Sequence, residues 1–218
     1  MGSREAYPLN AEAYRKMLLT LENDTELRER MPTSCRVVIY AMLLCGLRIG
    51  EAIAMRRPWV KTSGDGKAIR VPGEADGDGF TPKTRAGSRT VPVPSSFTCH
   101  ATGEEIEVEF EQVLTAFFVN NRKVDMGDCG VRRWLHETAI AAGVEESRQI
   151  VERTHGKVVL DTPDVIAHDC RASWCAQCLR SDCNRYTVRD WGGWADMSMI
   201  NRYASYVGDP SGEQIDRF

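Results

Sequence analysis

The stretch Cys35–Gly46, CRVVIYAMLLCG, constrains the fold more than any other. As a helix it is apolar on nearly every side, so other elements must surround it. Thr33 or Ser34 is placed to cap its start, and Gly46 to end it. Residues 10–22 supply one amphipathic partner. Asn10 can cap that helix, and Tyr14, Met17, Leu18 and Leu21 make one apolar stripe. After Gly46, the spacing of Ile49, Ala52, Ile53 and Met55 predicts a short helix with Arg48 at its start. Further helices are expected over 110–121, 128–142, 168–179, 186–191 and 196–206.

Between these lie short extended segments. Lys67–Val71 reads as a strand, and GEADGDGF as a Gly- and Asp-rich turn. The run TPKTRAGSRTVPVP reads as a hairpin, with Ala86, Gly87 and Ser88 near its tip. Ile106, Val108 and Phe110 alternate with glutamates, which favours a strand, and residues 148–160 fit a small hairpin. The fold class is therefore α+β and mainly helical, with a small antiparallel sheet near the first third. The 218 residues, 42% of them hydrophobic, suffice for one large domain or two small ones.

Several classes are excluded or disfavoured. There is no long uncharged apolar run, hence no expected membrane span. The start, MGSREAYPLN, lacks the apolar core of a signal peptide, so a cytoplasmic protein is expected. Eight cysteines with no export signal read as reduced thiols. Cys175 and Cys178 have metal-like spacing, but they fall on a predicted helix, and buried thiols are the preferred reading over zinc. No metal or cofactor is expected. A net charge of −3 argues against indiscriminate nucleic-acid binding but allows a local basic cleft.

The chemistry concentrates between His168 and Tyr203. His168 and Arg171 lie three residues apart, and Trp194 follows a Gly pair, with Tyr203 nine positions after it. Upstream, Arg48 stands in GLRIGE, and Lys83, Arg85 and Arg89 cluster on the predicted hairpin. In this order and in these local settings, the residues resemble the catalytic domain of the tyrosine recombinase (phage integrase) family. The resemblance spans roughly residues 10–206. It implies an enzyme that cleaves and rejoins DNA through a covalent 3′-phosphotyrosyl intermediate, without metal or ATP.

Each residue type suits that chemistry. Arg48 and Arg171 would clamp the non-bridging oxygens of the phosphate, because guanidiniums stay charged and fork-shaped. Lys83 would protonate the leaving 5′-oxygen. His168 would hydrogen-bond the phosphate or help take the phenol's proton. Trp194 stands where many relatives have His; its indole N–H can donate and its ring can buttress Tyr203, but it cannot shuttle a proton. Tyr203 would be the nucleophile; Tyr206 does not fit the spacing. Glu51 is expected to anchor Arg48, and Arg85 and Arg89 to contact the DNA backbone.

The resemblance also implies a specific double-stranded recombination site as partner, a homotetramer on DNA that can be a monomer when free, and the integration or excision of a mobile element. Residues 1–9 read as a tag or linker remnant, 10–206 as the catalytic domain and 207–218 as a tail. The N-terminal DNA-binding domain usual in the family is not found in these residues, which suits an excised catalytic fragment or a single-domain member. The alternatives are a related strand transferase, such as a type IB topoisomerase or telomere resolvase, and a DNA-binding or zinc-binding module in which Tyr203 is structural.

Overall fold

Helix α3 (Thr33–Cys45) is partly exposed in its first turn and then enters the core, with every residue from Val37 to Cys45 inside. The computed structural model describes residues 5–77, 79–81, 87–144, 146–153, 156–163 and 165–207. Pro32, rather than Thr33 or Ser34, takes the N-cap position of α3, and no side chain caps it. A proline there already lacks the N–H that a helix start would leave unpaired. Gly46 ends the helix in the left-handed region, at φ 60°. A Cβ at Gly46 would also overlap the ring of Trp174, so this position requires glycine twice over.

The partners of α3 follow from the apolar stripes. Helix α1 (Ala11–Asn23) is capped by Asn10, whose side chain accepts from the Ala13 N–H. It lays Tyr14, Met17, Leu18 and Leu21 on the core, and the Tyr14 hydroxyl donates to the Leu43 carbonyl at 2.7 Å. After α2 (Thr25–Arg30) and α3 comes the short α4 (Ile49–Ala54). Helix α5 (Phe110–Asn120) stacks Phe110 on Tyr40, ring centroids 5.3 Å apart. Helices α6 (Asp128–Ala141) and α7 (Ala167–Arg180) complete the shell around α3. Each fully buried Ile, Leu or Met of this core contributes on the order of 1.5–3 kcal/mol.

Among the described residues there are three small antiparallel sheets, of which the first is the sheet expected near the first third. Strands β1 (Val60–Ser63), β2 (Gly66–Val71) and β3 (Arg89–Pro92) pair in that order, with Ile69 opposite both Val60 and Val91. The returning strand of the predicted hairpin thus finds its partner in β2. Residues 82–86, with the expected outgoing arm, lie outside the described residues. Strands β4 (Ser96–Thr98) and β5 (Glu105–Glu107) form a second pair. The third, β6 (Glu146–Arg153) with β7 (Gly156–Pro163), matches the hairpin expected over 148–160. Two short helices, α8 (Arg185–Gly192) and α9 (Ser198–Ala204), then fold back on α7.

Candidate active site

The site forms where the first turns of α4 and α7 meet the C-terminal ends of α3 and α8. At α4, the Glu51 carboxylate accepts the Arg48 backbone N–H at 2.8 Å and the Arg48 guanidinium at 2.8 Å. At α7, Asp169 accepts the Ile166 N–H at 2.8 Å. Both carboxylates occupy the third helical position, where they satisfy orphan N–H groups and favour the positive end of the helix. The first turns carrying Arg48, His168 and Arg171 are fixed in this way.

Arg171 is buried and bridges two helix ends. Its Nη1 donates to the Gly46 carbonyl at the end of α3, and its Nη2 to the Gly192 carbonyl at the end of α8. These carbonyls would otherwise lack partners. A guanidinium has five N–H donors, so these two bonds leave others for an anion. Its cation lies 4.5 Å from the Trp194 ring centroid. Trp194 in turn packs at 6.1 Å from Trp174 and 6.0 Å from Tyr203. The glycines before it are structural: a Cβ on Gly192 would overlap the Trp194 ring, and Gly193 caps α8 at φ 61°.

Tyr203 is 4% exposed and sits in the site of its own chain, through Trp194 and the field of Arg171. Burial raises its phenol above the ordinary range, while Arg202 and Arg171 oppose the rise. Loss of water around the imidazole, then the charges of Arg171 and Arg48, hold His168 below its usual range, which favours its neutral form at pH 7. Burial and then the neighbouring Arg48 and Arg89 press Arg171 downward, yet a guanidinium at about 9 remains charged at pH 7.

Of the residues read from the sequence, Arg48, Glu51, His168, Arg171, Trp194 and Tyr203 come together. Lys83 and Arg85 lie outside the described residues. Tyr206 lies elsewhere, edge-on to Tyr7 at 6.0 Å. The expectation that Arg89 meets DNA is corrected. Arg89 is buried, with Nη1 and Nη2 donating to Glu51 at 3.0 and 2.8 Å, Nη1 also to the Gly87 carbonyl, and Nε to the Trp191 carbonyl at 2.6 Å. Four of its five donors are engaged internally, and no face is left for a phosphate.

Glu51 is therefore shared between Arg48 and Arg89, a role only half visible in the sequence. Burial alone would raise its carboxyl, but Arg89 and Arg48 outweigh that and bring it to about 2. Among the described residues, no three His, Cys, Asp or Glu side chains gather to hold a metal ion, and no helix is long and apolar enough to cross a membrane.

This fold recurs in solved recombinases and integrases. The chain covers 93% of itself and 50% of the XerH site-specific recombinase in a post-cleavage complex with a palindromic difH substrate, at TM-score 0.56 and 15% identity. It covers 92% of itself and 88% of the catalytic domain of bacteriophage HP1 integrase, at TM-score 0.56 and 13% identity. Lambda integrase (75–356), solved as a dimer bound to a COC′ core site, is matched over 100% of this chain and 64% of its own, at TM-score 0.56 and 13% identity. The protein thus spans about half the length of XerH and has the fold of an integrase catalytic domain. No curated protein matches its sequence. The model of the phage integrase family matches residues 8–207, and the chain belongs to that family.

Proposed function

We propose that this domain cleaves and rejoins DNA strands at a specific site, with Tyr203 as nucleophile. The Tyr203 oxygen attacks the phosphorus, the bond to the 5′-oxygen breaks, and the strand is held as a 3′-phosphotyrosyl ester. Attack by the freed 5′-hydroxyl of a partner strand reverses the step, so neither ATP nor a metal enters. Arg48 and Arg171 neutralise the charge that grows on the non-bridging oxygens. His168, its neutral form favoured at pH 7, is the candidate acceptor of the phenol proton. The role of Lys83 as donor to the leaving oxygen rests on the family resemblance. The partner is double-stranded DNA, bound by a homotetramer during strand exchange.

One observation carries this reading. A buried tyrosine, a tryptophan and a buried arginine lie in a row, Tyr203 to Trp194 at 6.0 Å and Trp194 to Arg171 at 4.5 Å, beside a second arginine locked by Glu51. A merely structural tyrosine needs no such company of cations. The test is a nicked duplex carrying the recombination site of the source element, from which the cleaved end diffuses away. The wild-type domain is expected to leave a covalent protein–DNA band on a denaturing gel, in EDTA as in its absence, and Tyr206→Phe to retain it. An adduct that vanishes in EDTA would point instead to metal-dependent cleavage.

A further inference from the structure

The segment Glu5–Leu9 is a strap across α7 that reaches α9. Its backbone is tied to α7, with the Tyr7 N–H on Asp169 Oδ1 at 3.0 Å and the Leu9 N–H on Ser173 Oγ at 2.8 Å. Asp169 and Ser173 are buried, one helical turn apart. The other end of the strap is tied to α9. Arg202 donates to the Ala6 carbonyl at 3.0 Å and pairs with Glu5 at 2.7 Å. The Tyr7 ring meets Tyr206 just beyond α9, and Arg180 of α7 donates to the Tyr206 carbonyl at 3.3 Å.

A helix of seven residues does not hold its own shape in water. On its inner face α9 is held by Ile200 and Tyr203. On its outer face it is held by the strap through Arg202, the residue next to the tyrosine. Asp169 serves both sides of this arrangement, since the carboxylate that accepts Tyr7 also fixes the first turn of α7, with His168 and Arg171. We propose that the strap aligns the Tyr203 helix with the arginine clamp, and that Arg202 is a positioning residue acting through Glu5 and the Ala6 carbonyl. This rests on the reading of Tyr203 as nucleophile. Displacement of a reacting group by about 1 Å can cost on the order of 10²-fold in rate, so a tether on the neighbouring residue matters.

The test combines amide hydrogen exchange of residues 198–204 with the rate of adduct formation at saturating nicked DNA. In Arg202→Ala, exchange in α9 should be about tenfold faster while α3 is unchanged. The adduct rate should fall several-fold at an unchanged half-saturating DNA concentration. Glu5→Gln should move both in the same direction, although it removes a negative charge and so cannot weaken attraction to DNA. Glu5→Arg combined with Arg202→Glu should restore part of the exchange protection. Unchanged α9 exchange in Arg202→Ala, or a loss visible only as weaker DNA binding, would overturn the proposal. If the wild-type domain forms no adduct at all, the nucleophile reading fails, and the exchange arm still decides whether the strap holds α9.

Discussion

Arg171→Ala is expected to abolish strand cleavage and to destabilise the domain. The two effects have separate causes. In the proposed mechanism, removal of the guanidinium takes away a donor to the phosphate, worth about 10²–10³-fold in comparable sites. It also strips the buried carbonyls of Gly46 and Gly192 of their partner. Each buried group left unpaired costs on the order of 1–3 kcal/mol. Arg171→Lys separates the terms, because an ammonium keeps the charge but cannot span both helix ends as the guanidinium does. Thermal melts should rank wild type above Lys above Ala. Cleavage measured at low temperature, where circular dichroism shows the variants folded, should still be lost in Ala and strongly reduced in Lys. A folded Arg171→Ala variant that cleaves within tenfold of wild type would remove Arg171 from the clamp.

Glu51→Ala should also produce a large loss of stability. The carboxylate is 3% exposed and joins Arg89 at 2.8 Å and Arg48 at 2.8 Å. Breaking such a pair strands a buried Arg89, at a cost of about 3–5 kcal/mol. The pH dependence follows from the same geometry. The carboxyl is depressed on folding from 4.5 to about 2, so its stabilisation is fully present above 4.5 and disappears as the pH falls toward 2. A shift of that size corresponds to about 3 kcal/mol. Urea denaturation at pH 7, 4 and 3 should show the wild type losing stability more steeply than Glu51→Gln, which has no charge to lose. Parallel curves, or a Glu51→Ala domain within about 1 kcal/mol of wild type at pH 7, would contradict this account.

The sequence made some of this legible because the determining contacts are local. Helix α3 announces itself by an unbroken apolar run with a glycine stop, and Glu51 can reach Arg48 because they are three residues apart at a helix start. The burial of Arg89 is not legible, for the opposite reason. Arg89 stands in a basic cluster that resembles a solvated hairpin tip, but its partners are Glu51 and the Trp191 carbonyl, 38 and 102 positions away. No local pattern encodes that burial. The strap was hidden in the same way, because it is held by backbone N–H groups that reach side chains 162 and 164 residues on, and any sequence offers such N–H groups. The pairing of β4 with β5 is not legible in the sequence, because period-two alternation over three residues, as in β5, says nothing about which strand lies alongside.

Arg89 and Glu51 form a buried brace that also holds Arg48, and Arg171 ties together the ends of α3 and α8. Trp194 lies between Tyr203 and Arg171, 6.0 Å from the tyrosine ring and 4.5 Å from the guanidinium. Because an indole cannot carry a proton, the proposed mechanism assigns proton transfer to His168 and Lys83.

The most direct measurement is to find the atom that carries the DNA. The adduct from a nicked duplex is digested with protease and nuclease, and the nucleotide-bearing peptide is sequenced by mass spectrometry. The predicted result is a 3′-nucleotide on Tyr203, lost in Tyr203→Phe and retained in Tyr206→Phe. A nucleotide on Tyr206 or on another residue, or an adduct that survives Tyr203→Phe, would contradict the central claim.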